Sequence, residues 1–133
     1  MTRKEEREQA FCLVFEKGFR EESCAELLEL AESIRDFELT PYITETFCGV
    51  FDQLETVDSI IAKHLEKWTI DRIPKADLAL LRLAVYEMKY NDTVPVGVTV
   101  NEIVDLAKIY SGEKDPAYIN GVLGGISRSG ALD

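Results

Sequence analysis

The stretch IPKADLALLRLAVYEMKY, residues 73–90, decides the fold of this chain. It has the length of a helix and is apolar on nearly every side, yet it keeps the charged residues Asp77, Arg82 and Glu87. A helix that is apolar all round belongs in the middle of an all-helical domain. Its few charged side chains must reach the surface or a partner, so they are the first candidates for a function.

Length and composition describe one globular domain. The chain has 133 residues, of which 46% are hydrophobic and 30% are charged. That length is sufficient to bury a core without the support of disulfides. The apolar stretches are too short to cross a membrane, and the charged N-terminal segment is unlike a signal peptide. We therefore expect a cytoplasmic protein with a single domain over residues 1–133.

Cysteine content and net charge restrict the function further. Cys12, Cys24 and Cys48 lack the spacing of metal ligands, and their odd number argues against a disulfide framework. The formal net charge is −10, whereas affinity for nucleic acid comes mostly from Lys and Arg. Any RNA binding must therefore use a local patch or a basic partner. Neither a metal nor a cofactor is predicted.

Hydrophobic periodicity and capping residues predict seven helices. The dipeptides Thr40-Pro41 and Asp115-Pro116 are typical of helix starts, because proline needs no N–H group in the first turn. Thr99 and Glu102 have the spacing of a capping box. The boundary between the third and fourth helices stays open. The predicted helices cover residues 2–18, 22–37, two segments within 40–68, 74–90, 99–110 and a last segment from 115.

No segment alternates apolar and polar residues for long enough to predict a strand. Residues 94–100 are rich in β-branched side chains, which leaves a short edge strand as the alternative to a loop and a helix start. Internal repeats and low-complexity tracts are absent from the sequence. The predicted fold class is all-α.

The residues give little support to a catalytic function. His64 is the single histidine, and no Ser or Cys stands in a nucleophile motif. Gly121 and the pair Gly124-Gly125 lack the strand, loop and lysine of a phosphate-binding cradle. We do not expect an enzyme.

A binding function has more support. Arg3 and Arg7 lie one turn apart on the first predicted helix, with Lys4 beside them, which gives a short cationic strip. The alternative is that this strip is neutralised along the helix by Glu5, Glu6 and Glu8.

Three blocks of the sequence resemble the NusB family of bacterial transcription antitermination factors. They are LLRLAVYE at 80–87, VNEIVDLAK at 100–108 and YINGVL at 118–123, in matching order and spacing. Arg7-Glu8, Trp68 at the end of the fourth helix and the overall length extend the resemblance over the whole chain. The resemblance implies seven helices arranged as two small helical subdomains.

The same resemblance implies an RNA-binding adaptor without enzymatic activity. Family members pair with the small-subunit ribosomal protein that doubles as NusE. The pair recognises boxA RNA in rRNA leader transcripts and acts within the RNA polymerase antitermination complex. Whether the chain also forms a homodimer is left open.

The resemblance also implies roles for particular residues. The arginine-rich first helix of the family falls on Arg3, Lys4 and Arg7, and an aromatic residue near its inner end falls on Phe15. The implied RNA contacts are Arg3, Lys4, Arg7, Phe15, Arg82, Tyr118 and Asn120. The implied partner contacts are Asp77, which precedes the core of the apolar helix, and Glu87.

The chain departs from the family pattern at four positions. Glu5 and Glu6 interrupt a basic run, Ala117 replaces a usual lysine and Gly124 replaces a usual aspartate. We infer that the isolated chain binds RNA weakly and that the partner supplies much of the affinity. A protein-only scaffold of the same fold is the alternative. A third hypothesis, the RNA-targeting domain of certain RNA cytosine methyltransferases, is disfavoured because no catalytic domain follows up to Asp133.

Overall fold

The computed structural model describes residues 1–34 and 38–133, which form seven α-helices and no strand. The all-α prediction is confirmed. Within these residues no helix is both long enough and apolar enough to span a membrane. The helices are α1 (Arg3–Lys17), α2 (Cys24–Ile34), α3 (Pro41–Asp52), α4 (Leu54–Ala62), α5 (Lys75–Tyr90), α6 (Val96–Tyr110) and α7 (Asp115–Ser129).

Capping residues explain where three of the helices begin. Thr2 and Glu5 form a capping box at α1, and the Thr40 hydroxyl accepts a hydrogen bond from the Ile43 N–H at the start of α3. Ser23 and Glu26 pair in the same reciprocal way, so α2 begins two residues later than predicted. The predicted end of this helix at residue 37 lies outside the described residues.

Several predicted boundaries differ from the structure. α6 begins at Val96, because Pro95 fixes the backbone one turn before the predicted start. The prediction of a capping box at Thr99 was therefore wrong. Thr99 lies within α6, and its hydroxyl group is buried. α4 ends at Ala62, so Trp68 lies in the irregular segment 63–74 that follows. The apolar pattern continues through this segment because Trp68 packs on the core without being helical.

α5 is the central helix. It packs against α1, α3, α4, α6 and α7, and ten of its sixteen residues are buried. One of these contacts depends on Gly49 of α3, because a Cβ atom there would lie 2.2 Å from the Tyr86 ring. The buried side chains form one connected core. The division into two subdomains stays a prediction.

Candidate RNA and partner interface

The start of α1 presents two of the predicted RNA contacts, and both are partly neutralised. Arg3 is exposed, with its guanidinium 4.2 Å from the centre of the Tyr42 ring and its Nε 3.3 Å from Glu6 Oε1. Lys4 is exposed as well, and its Nζ lies 3.5 Å from Glu102 and 3.7 Å from Asp105 on α6. The cationic strip is therefore short and surrounded by carboxylates.

Arg7 and Glu87 bind each other inside the protein. Arg7 Nε and Nη2 donate to the two oxygens of Glu87 at 3.0 and 2.7 Å, and both side chains are buried. The Tyr42 hydroxyl donates to Glu87 at 3.3 Å. Burial alone lowers the pKa of Arg7, but the hydrogen bond to Glu87 and the surrounding negative charge reverse this and raise it. In this conformation neither side chain is available to RNA or a partner, contrary to the roles that the resemblance implies.

Arg82 also has an internal role. Its Nε and Nη2 donate to the two carboxylate oxygens of Asp58 on α4 at 2.9 and 2.8 Å. Such a two-point ion pair fixes the orientation of both side chains. Arg82 therefore joins α4 to α5 and lies apart from the cationic strip at the start of α1.

Phe15 lies in an apolar groove rather than beside the cationic strip. This groove, the aromatic groove below, has a volume of about 490 Å³. The Phe15 ring lies between those of Phe11 on α1 and Phe19 just after it, and the centre of the Tyr110 ring is 4.8 Å from that of Phe11. Phe19 is 62% exposed, which is unusual for so large an apolar side chain. Ala76 at the start of α5 completes the wall.

Asp77 is buried next to the turn between α6 and α7. Only 1% of its surface is exposed, and neither carboxylate oxygen has a hydrogen-bond partner within the described residues. Burial raises the pKa of Asp77 to about 6, the neighbouring carboxyl of Asp115 adds to the rise, and the Ser111 hydroxyl opposes it. Asp77 could contact a partner directly only if the structure opened at the turn between α6 and α7.

Tyr118 and Asn120 lie on the first turns of α7. Asn120 is exposed, whereas Tyr118 is half-buried and its hydroxyl is enclosed without a partner in the described part of the chain. The Tyr118 ring lines a groove that also contains Lys63 and Arg128. Arg3, Phe15 and Tyr118 thus line three different grooves.

Sequence reasoning missed several side chains beside the predicted ones. Tyr42, Tyr86 and Tyr90 surround Arg3 in a shallow cleft of about 360 Å³. These residues come from α3 and α5, so no spacing along the chain could have grouped them with the first helix. Lys63 and Arg128 likewise stand in no motif, and only the packing of α7 near the end of α4 brings them together.

Comparisons with known proteins agree with this architecture. A model of the NusB family matches residues 4–128. The transcription antitermination protein NusB of Listeria monocytogenes serotype 4a is 42% identical over 127 residues, covering 96% of this chain and 97% of the relative. NusB of Thermoanaerobacter pseudethanolicus is 37% identical over 134 aligned positions, which cover 100% of this chain and 95% of the relative.

Solved structures show the same fold. T. maritima NusB has a TM-score of 0.85 at 30% identity, with 98% of this chain and 94% of that chain covered. A complex of the antitermination factors NusB and NusE with double-stranded RNA contains a chain with a TM-score of 0.86 at 31% identity, and 96% of both chains is covered. Sequence and structure agree over nearly the full length, so this chain belongs to the NusB family.

Proposed function

We propose that this chain is a transcription antitermination factor, an adaptor that binds RNA together with a NusE-type ribosomal protein and acts without catalysis. The observation that carries the proposal is its similarity to the chain in the NusB–NusE complex with RNA, which covers 96% of both chains. Such a role places it in the cytoplasm with RNA polymerase. Its RNA target would be boxA in rRNA leader transcripts.

The RNA face of this proposal is the start of α1. Arg3 and Lys4 supply positive charge, and the exposed ring of Tyr90 lines the same cleft as Arg3, where it offers a platform for an unstacked base. Nearby carboxylates weaken the attraction for phosphate, as the contacts of Lys4 with Glu102 illustrate. This supports weak RNA binding by the chain alone.

The partner face of this proposal is the aromatic groove. Exposed aromatic side chains are enriched where proteins bind each other, and Phe15 and Phe19 would be covered there. The groove reaches Ala76, the residue before Asp77, so both lie at the start of α5. A net charge of −10 attracts a basic ribosomal protein over long range. We therefore assign Phe15 to the partner.

Binding of labelled boxA RNA tests this function. Fluorescence anisotropy should be measured with the chain alone, with the NusE-type partner alone and with the pair. We expect the pair to bind at least about ten-fold more tightly than the chain, which is a coupling of about 1.4 kcal/mol. A chain that binds the partner without any gain in RNA affinity would instead be a protein-only scaffold.

A further inference from the structure

Two of the three cysteines, 24 positions apart in the sequence, lie next to each other in the folded chain. Cys24 is the first residue of α2, and Cys48 lies on α3. Their thiols are close enough for a hydrogen bond in which Cys24 donates to the Cys48 sulfur. Both are free and half-buried. The third cysteine, Cys12, lies beside Tyr110 on another surface of α1.

The backbone fixes the position of both sulfurs. Ser23 and Glu26 cap each other at the start of α2, in the turn that carries Cys24. Next to Cys48 stands Gly49, where a Cβ atom would lie 2.2 Å from a ring of α5, so α3 packs tightly on the central helix there. α2 packs mainly on α3 and less on α1. A covalent bond between the two sulfurs would therefore join the outlying helix α2 to the core.

We propose that Cys24 and Cys48 form a reversible disulfide when the chain meets a peroxide, and that this bond ties α2 to α3. An odd number of cysteines argues against a permanent framework but leaves room for one transient bond. In compartments that keep thiols reduced, disulfides are usually transient and respond to oxidants. The bond concerns the fold alone and does not depend on RNA or partner binding.

Hydrogen peroxide is the oxidant in this step. The Cys48 thiolate attacks one peroxide oxygen, the O–O bond breaks, and the departing hydroxide takes up the thiol proton to form water. The Cys24 sulfur then attacks the sulfenic acid, so that the S–O bond breaks, the S–S bond forms and a second water leaves. Two thiols lose two electrons and two protons while one peroxide becomes two waters. Cys48 reacts first because the hydrogen bond from Cys24 stabilises its thiolate.

The surroundings of the pair slow this reaction at neutral pH. Burial raises the pKa of the Cys24 thiol to about 11; Cys48 and Asp52 add to the rise, and Lys17 opposes it. Burial also raises the pKa of Cys48, which the hydrogen bond from Cys24 opposes and Asp52 increases. Because the thiolate is the reactive form, oxidation should become about ten-fold faster between pH 7 and pH 8. The disulfide thus forms during sustained exposure to peroxide.

Peptide mapping of the peroxide-treated chain tests the bond. Digestion without reductant should yield one linked pair of peptides, containing Cys24 and Cys48, that dithiothreitol separates. Cys24→Ala should abolish this product, whereas the matched control Cys12→Ala should retain it. The oxidised wild type should melt about 5–10 °C higher than the reduced chain, since the bond closes a loop of 25 residues. Cys24→Ala should show no such shift.

Comparison with the unfolded chain decides whether the fold brings the thiols together. Cys12→Ala leaves a single possible bond within the chain, so its disulfide equilibrium can be measured in a glutathione buffer with and without urea. The equilibrium constant should be at least about 30-fold larger for the folded chain, the lower end of the usual effect of a disulfide. Equal constants would overturn the proposal. So would peroxide treatment of wild type that yields only sulfinic acids, bonds to Cys12 or bonds between two chains.

Discussion

Asp77 shows how one side chain can differ from its sequence interpretation. A carboxylate in the first turn of a helix gains from the helix dipole and was predicted to face a basic partner. The structure instead buries it near Ser111 and Asp115, and within the described residues neither of its carboxylate oxygens has a hydrogen-bond partner. Because desolvation disfavours the charged form, its pKa rises to about 6. The partner role of Asp77 stays a prediction, and the structure adds to it an effect of this carboxyl group on stability.

The raised pKa makes folding depend on pH. Between about pH 4 and pH 6 the unfolded chain releases the Asp77 proton while the folded chain retains it. Below about pH 4 this group therefore adds its full contribution to the free energy of unfolding. The contribution disappears as the pH rises to about 6. The loss corresponds to roughly 2–3 kcal/mol.

Asp77→Asn should remove this dependence. The variant stays neutral, and its amide can donate to Asp115, so it should be roughly 2 kcal/mol more stable than wild type at pH 7 and similar below about pH 4. Urea denaturation across this range measures the difference. Asp92→Asn, in the exposed loop after α5, is the control and should show no such trend. A stability difference that does not change with pH would contradict the assignment.

Ion pairs and hydrogen bonds between buried or partly buried side chains connect the helices to one another. Arg7 joins α1 to α5 through Glu87, Tyr42 adds α3, and Arg82 joins α5 to α4 through Asp58. Two of the charges on the apolar helix α5, Arg82 and Glu87, thus find partners on neighbouring helices. This arrangement satisfies groups that would otherwise be costly to bury.

A double-mutant cycle tests whether Arg7 is a structural residue. Arg7→Met leaves Glu87 buried without a counter-charge and should reduce stability by about 3–5 kcal/mol. Adding Glu87→Leu should recover most of that loss, since two apolar groups replace the pair. Chemical denaturation of Arg7→Met, of Glu87→Leu and of the double variant measures the coupling.

The RNA affinity of the double variant separates structure from contact. If Arg7 acts only inside the fold, the double variant and its partner should bind boxA RNA as tightly as the wild-type pair. Arg3→Gln, at the exposed end of the same helix, is the comparison and should weaken binding. A ten-fold loss in a stably folded double variant would return Arg7 to the RNA face.

Charge distribution governs the behaviour of the whole molecule. The net charge is −10, and several of its cations are held by carboxylates of the same chain. The long-range field is therefore acidic, and positive potential is confined to small areas. Such a field attracts a basic protein and repels bare phosphate. We therefore propose that the chain binds its protein partner first and RNA second.

Association with the partner should depend on ionic strength. We expect the association rate constant for the NusE-type partner to fall about ten-fold or more between 50 and 500 mM salt, because screening removes the long-range attraction. The dissociation rate should change much less. Stopped-flow mixing with a fluorescent partner gives both rates. An association rate that is insensitive to salt would exclude electrostatic steering.

Local signals in the sequence were enough to predict the elements of this fold. The spacing of apolar residues and the capping residues predicted the seven helices and the start of the third helix at Thr40-Pro41. They also predicted that residues 73–90 form the central helix. Such features depend on neighbours within one or two turns of the chain. They failed where an apolar residue packs without being helical, as at Trp68. Three ordered blocks were enough to indicate the family.

The roles of individual site residues were decided by tertiary structure. Arg7 and Glu87 stand 80 residues apart, and nothing in their spacing shows that α1 and α5 bring them to within 2.7 Å. Burial then converts two apparent contact residues into an internal pair, because a desolvated charge must be matched where it lies. The groove with Lys63 and Arg128 arises in the same way, from helices that meet only in the folded chain.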